Sequence, residues 1–554
     1  MLNSCVDEDL VGMTSRYQDV ESLLDIGLGG VRMVGIWGVG GGGKTTLATS
    51  LYMKISQHFQ GRCIIENVRE KTSKDGLNKL QENMLSALFK NEVRVFSTAE
   101  GKDNIKKMLR RRKVLLILDD VDKLDQLEAL AGKHNWFGSG SRIIITTRDE
   151  HLLRTHKVDH VYPIKLLSND EAIQLFRRHA YNEKDPVEDY ETLSKSVISY
   201  ASGLPLALRV IGSFLYDKNK NEWISALDKL KEIPDPKVMD ILKLSFDGLE
   251  DYQKELFLDI ACFFRFESVD DAMEIFEACG YYPEIGIKVL RQKALITIVK
   301  NEEGDDVFDM HDLVEEMGHY IVRGEHPKNP RKHSRVWKYK EIQEMCFDHA
   351  TLMENYETEA LTYYCGVKND ISSRICEIMS SMKKVRWIEV IYFYKVEGPT
   401  CFSDSFQPLK LCFLKLKYGN QKNLWKGYKH LPHLKVLRLE GMNKLQSTPD
   451  FHGLPHLQNL KDGEIPSGIG ELSNLKELDL SFNDFSLLDF TISQLTGLKV
   501  LKLSHCKNLI ELPDLPSSLV FLNARQRMSL TTNIVNDGER LLQSMLEVCM
   551  SLSF

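Results

Sequence analysis

The stretch Gly38-Val39-Gly40-Gly41-Gly42-Gly43-Lys44-Thr45, directly after the apolar run Val31–Trp37, leaves this chain few ways to fold. It matches G-x-x-x-x-G-K-[ST] at every fixed position. Glycines allow the positive φ angles of a concave loop and let an anion approach backbone N–H donors. Lys44 supplies a point charge for terminal phosphates, and Thr45 a hydroxyl for Mg²⁺. The next residues, Thr45–Tyr52, read as a helix whose N-terminus faces the anion. The same letters would also suit a flexible turn between a strand and a helix. A lysine and a threonine placed after a strand favour the phosphate cradle.

Three further apolar runs, Arg62–Glu66, Val114–Leu118 and Arg142–Thr146, alternate with amphipathic stretches. That pattern predicts a parallel sheet with helices on both faces and a ligand at the carboxyl ends of the strands. Two of these ends carry chemistry. Val114–Leu118 runs into Asp119-Asp120. Asp119 is placed to hold Mg²⁺, and Asp120 to orient or deprotonate a water, which makes it the candidate catalytic residue. The run from Ser141 ends in Arg148, whose forked guanidinium suits a γ-phosphate. The alternative is a solvated arginine paired with Asp149.

At 554 residues the chain should form several domains. Its net charge of −7 gives no global footprint for nucleic acid, and Arg110–Lys113 reads as a solvated helix end. The 11 cysteines are scattered, odd in number and without a C-x-x-C pair. That argues for free thiols in a reducing, cytosolic or nucleocytoplasmic, setting. Cys346 and His349 have ligand-like spacing but no second pair. No run approaches a membrane span, and the acidic N-terminus lacks the shape of a signal peptide.

The fold class expected is multidomain: a P-loop NTPase parallel sheet over 1–160, a helical module over 161–235, and a winged-helix module over 236–325. An irregular connector over 326–400, leucine-rich repeats forming a solenoid over 401–525, and a tail over 526–554 complete it. The winged helix rests on several helices followed by a strand pair, Leu295–Val299 and Asp306–Phe308, around Asn301–Gly304. In the repeats, L-x-x-L-x-L begins at Leu411, Leu434, Leu475 and Leu498, with partial copies at Leu457 and Leu519. The steps of 23, 23, 18, 23 and 21 residues fit the repeat class. Asn483 and Cys506 fill the slot whose side chain satisfies turn backbone. The 18-residue step marks a shortened repeat. Leu541, Leu542, Met545, Leu546 and Cys549 have the spacing of a capping helix in the tail.

With these motifs in hand, the chain resembles plant intracellular disease-resistance proteins of the nucleotide-binding (NB-ARC), leucine-rich-repeat class. Gly203-Leu204-Pro205-Leu206-Ala207, Leu256–Phe264 and Met310-His311-Asp312 carry the resemblance, with Asp9–Gly12 near the start. Asp122 and Glu66–Glu70 look like the subclass with an N-terminal Toll/interleukin-receptor-like domain. The resemblance implies ADP or ATP with Mg²⁺ as ligands. Val11 and the backbone near Gly12 would line adenine. Gly38, Gly40, Gly41, Gly43 and Lys44 would hold phosphates, Thr45 and Asp119 would serve the metal, and Thr46 would face the α-phosphate. Pro205 would pack on the base, and His311 would contact the β-phosphate of ADP. Asp312 with Glu315 looks like a capping pair at the start of the His311 helix. Gly42 departs from the family's usual apolar residue, which should weaken nucleotide affinity.

What this implies is an ADP/ATP-gated switch in plant innate immunity, with at most slow hydrolysis. The repeats would sense a pathogen effector or a guarded host protein, and a full-length receptor or a second copy could be a partner. The text begins ten residues before Val11. The family's N-terminal signalling domain is therefore expected to be absent, and with it NAD cleavage and cell death triggered by this chain alone. Two other readings stay open: a turnover ATPase, and an adaptor or decoy whose nucleotide is only structural.

Overall fold

The computed structural model describes residues 10–181, 190–216, 218–232, 234–347, 356–365, 372–392, 402, 406–419, 424–425, 428–440, 451–461, 469–481, 492–506 and 514–523. The expected tail helix and Asn483 lie outside them. The chain divides into two compact units, 1–257 with 284–320, and 258–283 with 321–554.

The first unit is built on a five-stranded parallel sheet of β1 (Arg32–Trp37), β2 (Gly61–Ile65), β3 (Val114–Val121), β4 (Arg142–Thr147) and β5 (His160–Pro163), ordered β2-β3-β4-β1-β5. Alternation of side chains along each strand explains why the runs are apolar throughout. Met33, Leu116, Leu118, Ile143 and Ile145 feed the core shared with helices Leu77–Phe89 and Thr98–Leu109. Val34, Ile36, Leu115, Ile117 and Ile144 feed the opposite core, shared with helices Met13–Leu24 and Lys44–Ile55. Each such side chain contributes about 1.5–3 kcal/mol of burial. β5 was not among the expected runs. It is a four-residue edge strand, half-buried and ending in proline, so it has no apolar signature.

Helices Asn169–Ala180, Glu191–Ala201, Pro205–Leu215 and Lys220–Glu232 follow. Ser168 and Glu171 form a reciprocal capping box that starts the first. Trp223 anchors the group. Its ring packs on Phe176, Tyr181 and Tyr190, and its indole N–H donates to the Leu215 carbonyl at 3.0 Å. Helix Pro236–Asp247 opens on a proline: Asp235 accepts from the N–H groups of Lys237 and Val238, just ahead of Pro236. The strand pair is the antiparallel hairpin of β6 (Thr297–Lys300) and β7 (Asp306–Asp309). Its turn is held by the Asn301 side chain, which accepts from Glu303 and Asp305 N–H.

The second unit carries nine parallel strands in sequence order: β8 (Arg335–Val336), β9 (Ala360–Cys365), β10 (Trp387–Tyr392), β11 (Phe413–Lys417), β12 (Val436–Glu440), β13 (Asn459–Lys461), β14 (Glu477–Asp479), β15 (Val500–Lys502) and β16 (Phe521–Asn523). Residues 326–400, expected as a connector, thus contribute three strands to this sheet. Their inward positions are mostly aromatic and β-branched, Tyr363, Ile388, Val390 and Tyr392, which hid them from a leucine pattern. Leu411, Leu414, Leu416, Leu434, Leu437, Leu439, Leu460, Leu475, Leu478 and Leu480 line the core, as do Leu498, Leu501 and Leu503. The shortened step keeps the ladder, with Leu460 opposite Leu478. The Cys506 thiol donates to the Leu480 carbonyl at 3.1 Å, as its slot requires. One buried ion pair stands out: Arg335 Nε meets Asp259 Oδ1 at 2.8 Å, and Trp387 Nε1 donates to Asp259 Oδ2 at 3.3 Å.

A candidate nucleotide site at the carboxyl ends of the parallel strands

The glycine-rich loop leaves the end of β1 and turns into helix Lys44–Ile55. Several of its glycines adopt backbone angles that side chains disfavour. Gly41 has φ 77° and Gly43 φ 92°, and a Cβ on Gly41 would sit 2.7 Å from Leu206 Cβ. Gly43 occupies the N-cap position without a side-chain cap, so the first N–H groups of the helix are available to an anion.

Lys44 is buried, and its ammonium donates to the carbonyls of Gly38 at 2.9 Å and Val39 at 2.8 Å. Burial, and then Arg148 nearby, bring its pKa down to about 7, against the opposing pull of Asp120 and Asp119. A buried cation held by carbonyls suits an anionic ligand. Thr45 Oγ1 donates to Asp119 Oδ1 at 2.8 Å, and Thr146 Oγ1 donates to the same oxygen at 2.6 Å. The two residues expected to serve a metal are therefore in contact. Thr46 is exposed, one residue further into the helix.

Asp120 lies on the other side of the strand end. Its carboxylate pairs with Arg69 Nη2 at 2.9 Å and with Arg148 Nε at 3.6 Å. Burial lowers the pKa of the Arg148 guanidinium, and Asp120 opposes that shift. Arg148 also donates to the Ile241 carbonyl, and its Nη1 packs where a Cβ on Gly40 would be. The alternative pairing with Asp149 does not occur. Asp149 caps helix Glu150–Thr155 and meets Lys293 Nζ at 3.0 Å.

Pro205 opens its helix beside the loop. Its Cγ is 3.8 Å from a Cβ built on Gly43, and Leu206 N–H donates to the Gly41 carbonyl at 3.3 Å. Val11 is buried next to Gly12, and Arg16 bonds the Gly12, Lys165 and Leu166 carbonyls and the Glu171 carboxylate. Gly42 has no positive φ, and a Cβ there would be 3.2 Å from the Val39 carbonyl oxygen.

His311 ties a later segment to this end of the unit. Its Nδ1 accepts from the Leu313 N–H at 3.1 Å, so Nε2 carries the proton and donates to the Ser202 carbonyl at 3.1 Å. Its own carbonyl accepts from Val314 and Glu315. The capping side chain at this helix start is therefore that of His311. Asp312, expected as the cap, accepts from the Ser202 hydroxyl. Ser202 has φ 44° and immediately precedes Gly203-Leu204-Pro205. Sequence reasoning missed Ser202, Thr146, Arg69 and Lys293. Arg69 stood inside Glu66–Glu70 but was read only as a subclass marker.

Comparisons with known proteins agree with this geometry. The NB-ARC domain model matches residues 16–186, and the model described as Disease resistance protein Roq1-like, winged-helix domain matches residues 250–326. The chain is 37% identical to TMV resistance protein N of Nicotiana glutinosa, over 92% of this chain and 46% of that protein. It is 35% identical to Disease resistance protein RUN1 of Vitis rotundifolia over 91% of this chain and 38% of that one. It is 32% identical to Disease resistance protein RPS6 of Arabidopsis thaliana over 95% and 49%. The chain thus spans less than half the length of these relatives. Taken with the loop, the strand-end carboxylates and the hairpin, these matches give the chain an NB-ARC domain and a Roq1-like winged-helix domain, and its homologues over most of its length are plant disease-resistance proteins.

Proposed function

We propose that this chain is the nucleotide-gated switch of a plant immune receptor, resting with ADP and activated by exchange to ATP. The single observation that carries the reading is buried Lys44. It is held only by loop carbonyls, with its pKa brought down to about 7, in a loop whose helix N-terminus is uncapped. An anion with several negative oxygens satisfies both at once. Bound nucleotide supplies that charge together with Mg²⁺. Thr45 and Asp119 would hold the ion, and Asp120 would orient a water if hydrolysis resets the switch. Arg148 would read the terminal phosphate. Pro205 and Val11 would flank the base, and His311 would report on the diphosphate from the Ser202 side.

Shifting such an equilibrium from 1:99 to 99:1 takes about 5.5 kcal/mol of differential binding. The leucine ladder would present the surface that meets a pathogen effector or a guarded host protein, in the cytosol or nucleus. A full-length receptor or a second copy would complete signalling. Among the described residues no helix is long and apolar enough to cross a membrane.

Hydrogen exchange tests the reading. ADP-loaded protein should protect amides around Ser202 and His311 more than protein loaded with a non-hydrolysable ATP analogue. Identical protection in the two states would remove the basis for a switch and leave the structural-nucleotide adaptor. Multiple-turnover hydrolysis with no ADP retained would instead favour the turnover ATPase.

A further inference from the structure

We infer that Arg69 is a positioning residue: it occupies Asp120 and thereby leaves the Arg148 guanidinium free to turn toward a terminal phosphate. This rests on the nucleotide-switch reading above and assigns a part of it to a residue outside the loop.

The backbone at the end of β3 separates two adjacent carboxylates. Asp120 has φ 56°, uncommon for a residue with a Cβ, and the β3–β4 register shifts between Leu118 and Val121. The Asp120 N–H donates to Thr146 Oγ1 at 2.9 Å, which holds the turn. Asp119 is consequently buried against Thr45 and Thr146, while Asp120 faces a cavity of about 850 Å³. Arg69, Ser73, Lys74, Arg148 and Lys293 line that cavity with it.

Arg69 is in the first turn of helix Val68–Asp75. The two guanidiniums do not share Asp120 equally. Arg69 makes the short contact, 2.9 Å from Nη2 to Oδ2, while Arg148 stands off at 3.6 Å and spends Nη1 on the Ile241 carbonyl. Arg148 is also the guanidinium beside the phosphate loop, with Nη1 2.7 Å from the place a Cβ on Gly40 would take. A carboxylate satisfied by Arg69 competes weakly for Arg148. Deprived of Arg69, Asp120 has Arg148 as its remaining ion-pair partner among the described residues, and the pair would close and withdraw Arg148 from the loop.

The test measures dissociation constants of the whole 554-residue protein for ADP and for a non-hydrolysable ATP analogue, both with Mg²⁺. Arg69→Ala should lower the relative affinity for the triphosphate by roughly tenfold, the scale of one charge-assisted hydrogen bond, with ADP binding within about twofold of wild type. Arg69→Lys should keep most of the discrimination. Adding Asp120→Asn to Arg69→Ala should restore it, because the competing charge is gone. Arg69→Gln keeps the stem and a donor without charge and should behave like Arg69→Ala, so a folding defect in the alanine variant leaves the question answerable. An unchanged affinity ratio in Arg69→Gln, or equal losses for both nucleotides, would overturn the inference while leaving the switch intact. Failure of wild-type protein to bind either nucleotide would bring down the switch reading and this inference with it.

Discussion

The imidazole Nε2 of His311 lies 3.1 Å from the carbonyl oxygen of Ser202, so the start of one helix is fastened to the end of another 109 residues earlier. Ser202 returns the contact through its hydroxyl, which donates to Asp312. The Gly203-Leu204-Pro205 turn at the phosphate loop follows directly. His311→Ala removes the cap on the Leu313 N–H and the tie to Ser202 together. A lost cap costs about 1 kcal/mol. ADP should therefore leave several-fold faster from His311→Ala, and also from Asp312→Val, which loses the Ser202 contact. Stopped-flow release of a fluorescent ADP measures this, and wild-type rates in both variants would contradict a role for the fastening.

The depressed pKa of Lys44 makes nucleotide binding a proton-linked event. Burial brings the Lys44 pKa down to about 7, well below the usual lysine value of 10.5. Between those values the unfolded chain holds the proton and the folded chain does not, so this group's contribution makes stability rise with pH across that window. Phosphates beside Lys44 favour its charged form, so ADP binding at pH 8 should take up to about one proton. Calorimetry in buffers of different ionisation enthalpy reads that uptake directly. Lys44→Ala should show none, together with much weaker binding.

The sequence alone leads one to expect that Gly42 weakens the loop. The structure sharpens that expectation, because Gly42 has no positive φ and its Cβ site is tight but not blocked. Gly42→Ala should hold stability or raise it by about 0.4–1 kcal/mol through the unfolded chain, with slightly tighter ADP binding. Gly41→Ala, at φ 77° against Leu206, should destabilise. Thermal unfolding of the two variants side by side separates these outcomes. A large loss in Gly42→Ala would show that the Val39 carbonyl cannot give way.

Much of this architecture was legible in the letters because it depends on local patterns. The loop after Val31–Trp37, the carboxylates at Asp119-Asp120 and the leucine register each need only a short window. What stayed hidden depends on pairings between distant residues or on weak local signal. Lys293 meets Asp149 across 144 residues, so Asp149 does not pair with Arg148, which stands 3.6 Å from Asp120. β5 is too short and too exposed to look like a strand, and β9 and β10 put Tyr363, Ile388 and Val390 where the later strands put leucine. His311 as its own helix cap is invisible because imidazoles rarely fill that place, whereas Asp312 carries the usual capping letter.

In the second unit, Asp259 and Arg335 form an ion pair that is almost wholly removed from water, with Trp387 as an additional donor. Removing one partner strands a buried charge. Asp259→Asn and Arg335→Met should each destabilise by about 3–5 kcal/mol. The double variant should cost less than the sum. Denaturant unfolding of the single and double variants checks this, and additive losses would show that the two residues act independently.

The most direct measurement identifies whatever small molecule leaves the protein on denaturation. Mass spectrometry of the supernatant from purified wild-type protein should show ADP near one per chain, and Lys44→Ala should release almost none. Wild-type protein that emerges empty, and whose melting temperature ignores added ADP and ATP with Mg²⁺, would contradict the account at its root.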